Sequence, residues 1–311
     1  MSLSISTSYS GEFSGRYIAA ALLSADTLDK GLITIMPNVK FKSVLQKAST
    51  DDIVKDASCD FQTGQGTLTL TEKVLQPEEF QVNLDLCKKD LHSSWQAAEM
   101  GFGLNDNLPA SFSDFVLAHV AAKVADRTEK NIWSGSTATS GQFDGFATLL
   151  AADGDLPAGQ DIVGTAVTAD NVVDELGDVV DAIPTAVYGS DDLVIYAASN
   201  VIRAYTRALG GFGASGVGAN GYENKGNNQV LGNLFFDGIP VVPARGAADD
   251  TIIAAEKSNL FFGTSLLSDL NNISVLDMQE IDGSMNVRVV MRFTAGVQYA
   301  QVSDIVYRTV A

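Results

Sequence analysis

The run from Ala110 to Gly135 constrains this chain more than any other stretch. Phe112, Phe115, Val116, Val120 and Val124 recur at three- and four-residue steps, which marks one apolar face of a helix. Ser111 followed by Asp114 has the spacing of a capping box and sets a carboxylate near the positive end of the helix dipole. Lys123, Arg127 and Lys130 occupy the later turns, and Gly135 supplies a stop. About two dozen helical residues span roughly 33 Å. Alanines at 118, 121, 122 and 125 keep the flanks thin, so other elements can pack on several sides. The rest of the chain has to be arranged around that rod.

Before the rod the texture is β. Val39, Phe41 and Ser43 alternate with Lys40 and Lys42, and Leu68 and Leu70 alternate with threonines. Phe80, Val82, Leu84 and Leu86 alternate with polar partners without a break. The polar span holding Asp51, Asp52, Lys55, Asp56, Gly64 and Gly66 reads as the tip of a long hairpin with little to bury by itself. Residues 1 to about 30 are Ser/Thr-rich and weakly patterned, an arm that gains order by lying on something else. Lys88 to Met100 suits a short helix.

After the rod, the Gly/Asp-rich run from Phe143 to Gly164 reads as a connecting loop. Thr168 to Ile183 follows as a helix, with Val172, Val173, Leu176, Val179, Val180 and Ile183 on one face and a cap at Thr168 or Asp170. Leu193 to Ala197 is a buried strand, and Ser199 to Leu209 is a helix closed by Gly210 and Gly211. Short strands come next at Leu234–Phe236, Ile239–Val242 and Thr251–Ala255. Leu260 opens a final β region that runs through Val287, Val289, Met291 and Phe293 and on to Tyr307. The fold class is α+β, without internal repeats.

Charge and cysteine usage exclude several roles. A net charge of −18 over 311 residues opposes coating nucleic acid or an acidic membrane. The start lacks the pattern of a secretion signal, and Ile18 to Leu23 is too short to span a bilayer, so assembly in the cytosol is expected. Cys59 and Cys87 are too few for a disulfide scaffold and are expected to be reduced and buried. His92 and His119 are the only imidazoles, with no Gly-x-Ser-x-Gly elbow anywhere to serve. Asp153-Gly-Asp155 starts like a calcium loop, but Pro157 breaks the spacing. The G-x-G-x-x-G runs at 211–216 and 216–221 follow a helix, whereas a dinucleotide cradle follows a strand. Asn272-Ile-Ser274 has the form of a glycosylation acceptor in a chain without a secretion signal. Asp144 to Asp192 carries acids and no Lys or Arg, which fits a solvated face, a surface turned away from packaged nucleic acid, or a loose divalent-cation site. No catalytic, cofactor-binding or metal-ligating residue is assigned, and no enzymatic role is expected.

The order of parts resembles the tailed-phage major capsid proteins of the Hong Kong 97 fold. The likeness rests on the arm, the β stretch from Val39 to Leu86 and the helix from Ser111 to Trp133, similar to the family's spine helix. It continues through Asn131-Ile-Trp-Ser-Gly with Phe143-Asp-Gly-Phe, then Leu193 to Asn200, Gly238 to Pro243, Leu260 to Thr264 and Arg288 to Ala300. The resemblance implies an N-terminal arm at 1–30, an extended loop with the first peripheral-domain strands at 31–95, and the spine helix and peripheral domain at 96–164. It further implies an axial domain at 165–255 and closing peripheral strands at 256–311. The implied function is self-assembly into pentamers and hexamers of an icosahedral head around double-stranded DNA that is enclosed without sequence-specific binding. A separate scaffolding protein, a portal and a decoration protein are the implied partners, the host cytoplasm the place of assembly and the virion the destination. An encapsulin-type compartment shell shares this architecture, and a decoration or tail protein is a further alternative. Because like-charged subunits repel over a longer range when screening is weak, shell yield is expected to fall at low ionic strength. Particle counts between low and moderate salt check this, and a flat yield contradicts it.

Overall fold

The computed structural model describes residues 26–50, 54, 56, 59, 68–87, 110–210, 234–265 and 273–310. The helix expected at 88–100, His92, the 211–221 glycine run and Asn272 lie outside them. A short helix α1 (Asp26–Asp29) leads into β1 (Thr34–Met36), then β2 (Ser43–Thr50), β3 (Leu68–Leu75) and β4 (Glu78–Cys87). The central helix α2 (Ala110–Ser134) follows, then α3 (Phe146–Ala152), β5 (Asp161–Gly164), α4 (Val172–Asp181), β6 (Leu193–Ala197) and α5 (Ser199–Gly210). The remainder is β7 (Leu234–Phe236), β8 (Ile239–Pro243), β9 (Ile252–Glu256), β10 (Leu260–Gly263), β11 (Ile273–Asp277), α6 (Gln279–Asp282), β12 (Asn286–Tyr299) and β13 (Val306–Val310). No described helix is long and apolar enough to cross a membrane.

Two sheets and a ribbon result. In the first sheet β12 is the axis: β4 runs antiparallel along one side, while β11 and β10 share the other and β1 lies outside β10. Strands from before and after the central helix therefore lie side by side, as the alternation at 80–87 and 287–293 requires. The second sheet has the order β5-β13-β9-β6-β8-β7. β6 is buried on both faces, which explains its unbroken apolar sequence. Leu193, Ile195 and Ala197 pack towards Leu176, Val179 and Val201 of α4 and α5, whereas Val194 and Tyr196 pack with Trp133, Phe146 and Phe262. Asp237 and Gly238, both at positive φ, make the two-residue turn between β7 and β8.

Several expectations are corrected. The β ribbon begins at Ser43, because Asn38 adopts φ 66° and breaks the Val39–Ser43 alternation; Val39 is buried while Phe41 is exposed. The connector from Phe143 to Gly164 is not simply a loop, since it holds α3 and β5. α4 starts at Val172, where the Thr168 carbonyl accepts the Val172 N–H, and neither Thr168 nor Asp170 caps it. Thr168 instead donates to Asn171 Oδ1. Val173 points outward, away from the face shared by its neighbours. Ser111 lies inside α2 and not before it. Cys59 is exposed and Cys87 half-buried, and both are free thiols. The end of the chain does not extend the first sheet: β13 crosses to the second and pairs with β5 and β9.

The central helix ends in a crossing of bare backbone. Gly145 donates its N–H to the Gly135 carbonyl at 3.0 Å, and Ser134 Oγ reaches the Gly246 carbonyl at 2.8 Å. A Cβ on Gly145 would stand 2.4 Å from the Asn131 carbonyl oxygen, and one on Gly246 would stand 2.0 Å from that of Glu129. These glycines are required for close approach. Gly246→Ala is therefore expected to cost about 2–3 kcal/mol by overpacking, read as a lower urea midpoint of the purified chain.

Candidate functional site

β2 and β3 form a ribbon that pairs with no other strand among the described residues. Its register sets Val44 opposite Val74, Gln46 opposite Glu72 and Ala48 opposite Leu70, with Leu68 next along, so these side chains share one face, apolar except for the Gln46–Glu72 pair. That face is bare: Val44 is 46%, Val74 38%, Leu70 71% and Leu68 62% exposed. The opposite face carries Leu45 and Leu75, both buried at the base. Covering a leucine or valine side chain completely stabilises by roughly 1.5–3 kcal/mol. A ribbon with this much uncovered apolar surface has the composition of an interface waiting for a second surface.

The base of the ribbon, by contrast, is fixed. Lys73 Nζ meets Asp153 Oδ2 at 2.6 Å and lies over the Tyr299 ring. Tyr299 Oη donates to the same carboxylate oxygen at 2.6 Å, and the Asp155 N–H donates to Oδ1. Burial alone would raise the Asp153 carboxyl, but the Lys73 and Tyr299 hydrogen bonds outweigh it and hold the group below its ordinary range. Burial, and then the bond to Asp153, push the Tyr299 phenol far up, so it remains the donor. Gln298 Nε2 donates to the Val74 carbonyl, and Lys47 Nζ to Ser303 Oγ. Gly263 and Gly296, register partners on β10 and β12, form a floor beneath Leu75 and Pro77: added Cβ atoms would stand 2.9 Å from each.

Two further carboxylates are structural. Glu129 of α2 is fully buried; its Oε1 accepts the Thr27 hydroxyl at 2.6 Å and the Trp133 indole N–H at 3.3 Å, while its Oε2 accepts the Thr27 N–H. Burial pushes its carboxyl up, partly offset by those bonds. The final residues of the expected arm are thus helical and tied to the central helix. Glu175 Oε2 receives two bonds from the wholly buried Arg308, which also donates to the Asp250 and Thr165 carbonyls. Burial would raise Glu175, but Thr165 and Arg308 more than compensate and lower it.

The residues weighed for chemistry are scattered. His119 is half-buried on the central helix beside a groove facing β4. Of the acids between Asp144 and Asp192, Asp153 and Glu175 are consumed in ion pairs and do not belong to a solvated face. Among the described residues no three His, Cys, Asp or Glu side chains gather as a metal site would need. The ion pairs were hidden in the sequence because their partners lie 80 and 133 residues away.

No protein-family model matches the chain, and no curated protein matches it. Solved structures do. The capsid of the native GTA particle superposes with a TM-score of 0.65 at 14% identity, over 97% of this chain and 95% of that one. The capsid structure of cyanophage P-SCSP1u gives 0.58 at 12% identity, over 98% and 93%. A structure of Mycobacterium phage Che8 gives 0.53 at 11% identity, over 98% of both. The chain has the fold of these capsid structures, the Hong Kong 97 type that the order of its parts resembles. The likeness covers nearly the whole length of the chain in each case.

Asp153, lowered in the folded state, contributes stability that is complete above its unfolded value near 4 and drains away as pH falls through the folded one. Asp153→Asn is expected to cost about 2 kcal/mol at pH 7, as loss of charge-assisted hydrogen bonds does. That deficit should narrow at pH 3, which paired urea titrations at the two pH values would measure.

Proposed function

We propose that this chain is the major capsid protein of a tailed double-stranded DNA phage-like particle, closing into a shell through pentamers and hexamers of itself. The observation that carries this reading is the ribbon: a pinned base, an uncovered apolar face and a fold that spans capsid chains nearly end to end. A face of this kind is satisfied by a sister subunit, and the large interfaces of obligate assemblies supply the missing burial. Head-to-tail contacts that close generate rings, and rings of two sizes generate a shell.

In this reading residues 43–75 are the extended loop lying across a neighbour, and 165–255 form most of the axial domain around the symmetry axes. The central helix and first sheet form the peripheral domain. β5 and β13 add strands to the axial sheet from either side of that segment. The shell encloses DNA without reading it, consistent with a net charge of −18. A scaffolding protein, a portal and a decoration protein are the proposed partners, the host cytoplasm the place of assembly and the virion the final location. The role is architectural, and no residue is assigned to catalysis.

Negative-stain microscopy of the purified chain at moderate salt is expected to show closed particles of uniform diameter. A monomer that stays monodisperse under all assembly conditions overturns the proposal. Leu70→Glu is expected to leave the urea midpoint of the unassembled chain within about 0.5 kcal/mol of the parent, as surface changes do. The same substitution should abolish closed particles, because it sets a charge on the ribbon's apolar face.

A further inference from the structure

Among the described residues β4 pairs on one side only. Its ten residues are matched to β12, and no other strand among the described residues adjoins it. An unpaired edge of this length is a template for another strand. Beside it runs a groove of about 480 Å³ between β4 and the central helix. Its apolar lining is Phe80, Val82, Leu84, Val120, Val124 and Phe293, and the β4 members are only half-buried. Leu86, Val120 and Val289 form a small buried cluster at this end, a satellite of the main core.

The chain carries a segment that fits. Residues 2–10 are weakly patterned by composition but alternate strictly in position: Leu3, Ile5, Thr7 and Tyr9 are interleaved with serines 2, 4, 6, 8 and 10. That is the period of a strand with one apolar and one polar face. β4 has the same period, with Phe80, Val82 and Leu84 towards the groove and Gln81, Asn83 and Asp85 exposed.

We infer that residues 2–10 add to the free edge of β4 of the same chain as an antiparallel strand, laying Leu3, Ile5 and Tyr9 over the groove. The tether sets both the source and the direction. Thr27 is bonded to Glu129 and Trp133, within a turn of Arg127, Thr128 and Asn131, which line one end of the groove. The fifteen residues between Ser10 and Asp26 reach up to about 50 Å when extended. A chain backing away from that anchor meets the Phe80 end first and the Leu84 end last, which is antiparallel to β4. Pairings that put Ser6 opposite Asn83, or a position two residues away, keep the apolar side chains inward. A one-residue slip would turn the serines into the groove. The inference does not rest on the shell reading, because the contact lies within one copy.

The test uses the full chain with C59S and C87S, adding Asn83→Cys together with Ser4→Cys, Ser6→Cys or Ser8→Cys. At least one pair is expected to oxidise to an intrachain disulfide, a shifted monomer band on a non-reducing denaturing gel. Ile5→Cys with Asn83→Cys faces the opposite side and should not. Amides of residues 3–9 should exchange at least about tenfold more slowly than those of residues 11–16, and Ile5→Asp should remove that protection. Crosslinks only between chains, crosslinking of the Ile5→Cys control as efficient as the others, or unprotected amides throughout 3–9 would each overturn the assignment. Shell formation with no intrachain crosslink would refute this contact and leave the proposed function standing.

Discussion

Where α2 stops, three stretches of backbone touch with no side chains between them. Gly135, Gly145 and Gly246 let the end of the helix, the start of α3 and the turn after β8 approach to hydrogen-bonding and van der Waals distance. Everything large then packs around the contact. Trp133 stacks between Phe146 and Tyr196, which joins the helix to both its connector and the second sheet. Glu129, one turn earlier, accepts the bonds that bring α1 to the same place. The junction is densely packed, so displacement of any one strand of backbone is felt by the other two.

Away from that junction the molecule becomes less self-sufficient. The ribbon is held at its root by a charged pair, a phenol and a glycine floor, and these are interactions of geometry. Further out the register is kept by backbone pairing, while Val44, Leu68, Leu70 and Val74 on one face stand exposed. A two-stranded ribbon is marginal in water without such support. Held at its base and bare along one face, the ribbon is aimed by its root alone. Aiming reduces the ordering cost that a contact with a second surface would otherwise carry.

Much of the architecture is legible in the sequence, and the reasons differ by element. The central helix was readable because its apolar steps hold for many turns; the expected span of Ser111 to Trp133, with a stop at Gly135, is observed as Ala110 to Ser134. β4 and β6 were readable for opposite reasons, one by alternation and one by an unbroken apolar run. β5 escaped because its four residues, Asp161 to Gly164, carry a glycine and an acid and owe their strand state to β13. The Val39–Ser43 alternation misled because pattern says nothing about Asn38, whose left-handed φ redirects the chain. The three structural carboxylates were invisible, since a sequence cannot show whether an aspartate looks into water or at a lysine 80 residues away. The uncovered face was half visible: Leu68 and Leu70 were placed on one side, but their exposure depends on what lies across from them.

The position of β13 has a bearing on synthesis. It lies between β5 and β9, and its Arg308 supplies the counter-ion for Glu175 and bonds to the carbonyls of Thr165 and Asp250. Residues 306–310 leave the ribosome after every other described element, so the second sheet stays split and Glu175 unmatched until they have emerged. The ribbon emerges early, with its apolar face ready, but the body that must carry it cannot be finished until translation of this region is over. Completion of the fold is thereby tied to the last described strand to emerge, which separates the availability of a sticky surface from the completion of the scaffold that presents it.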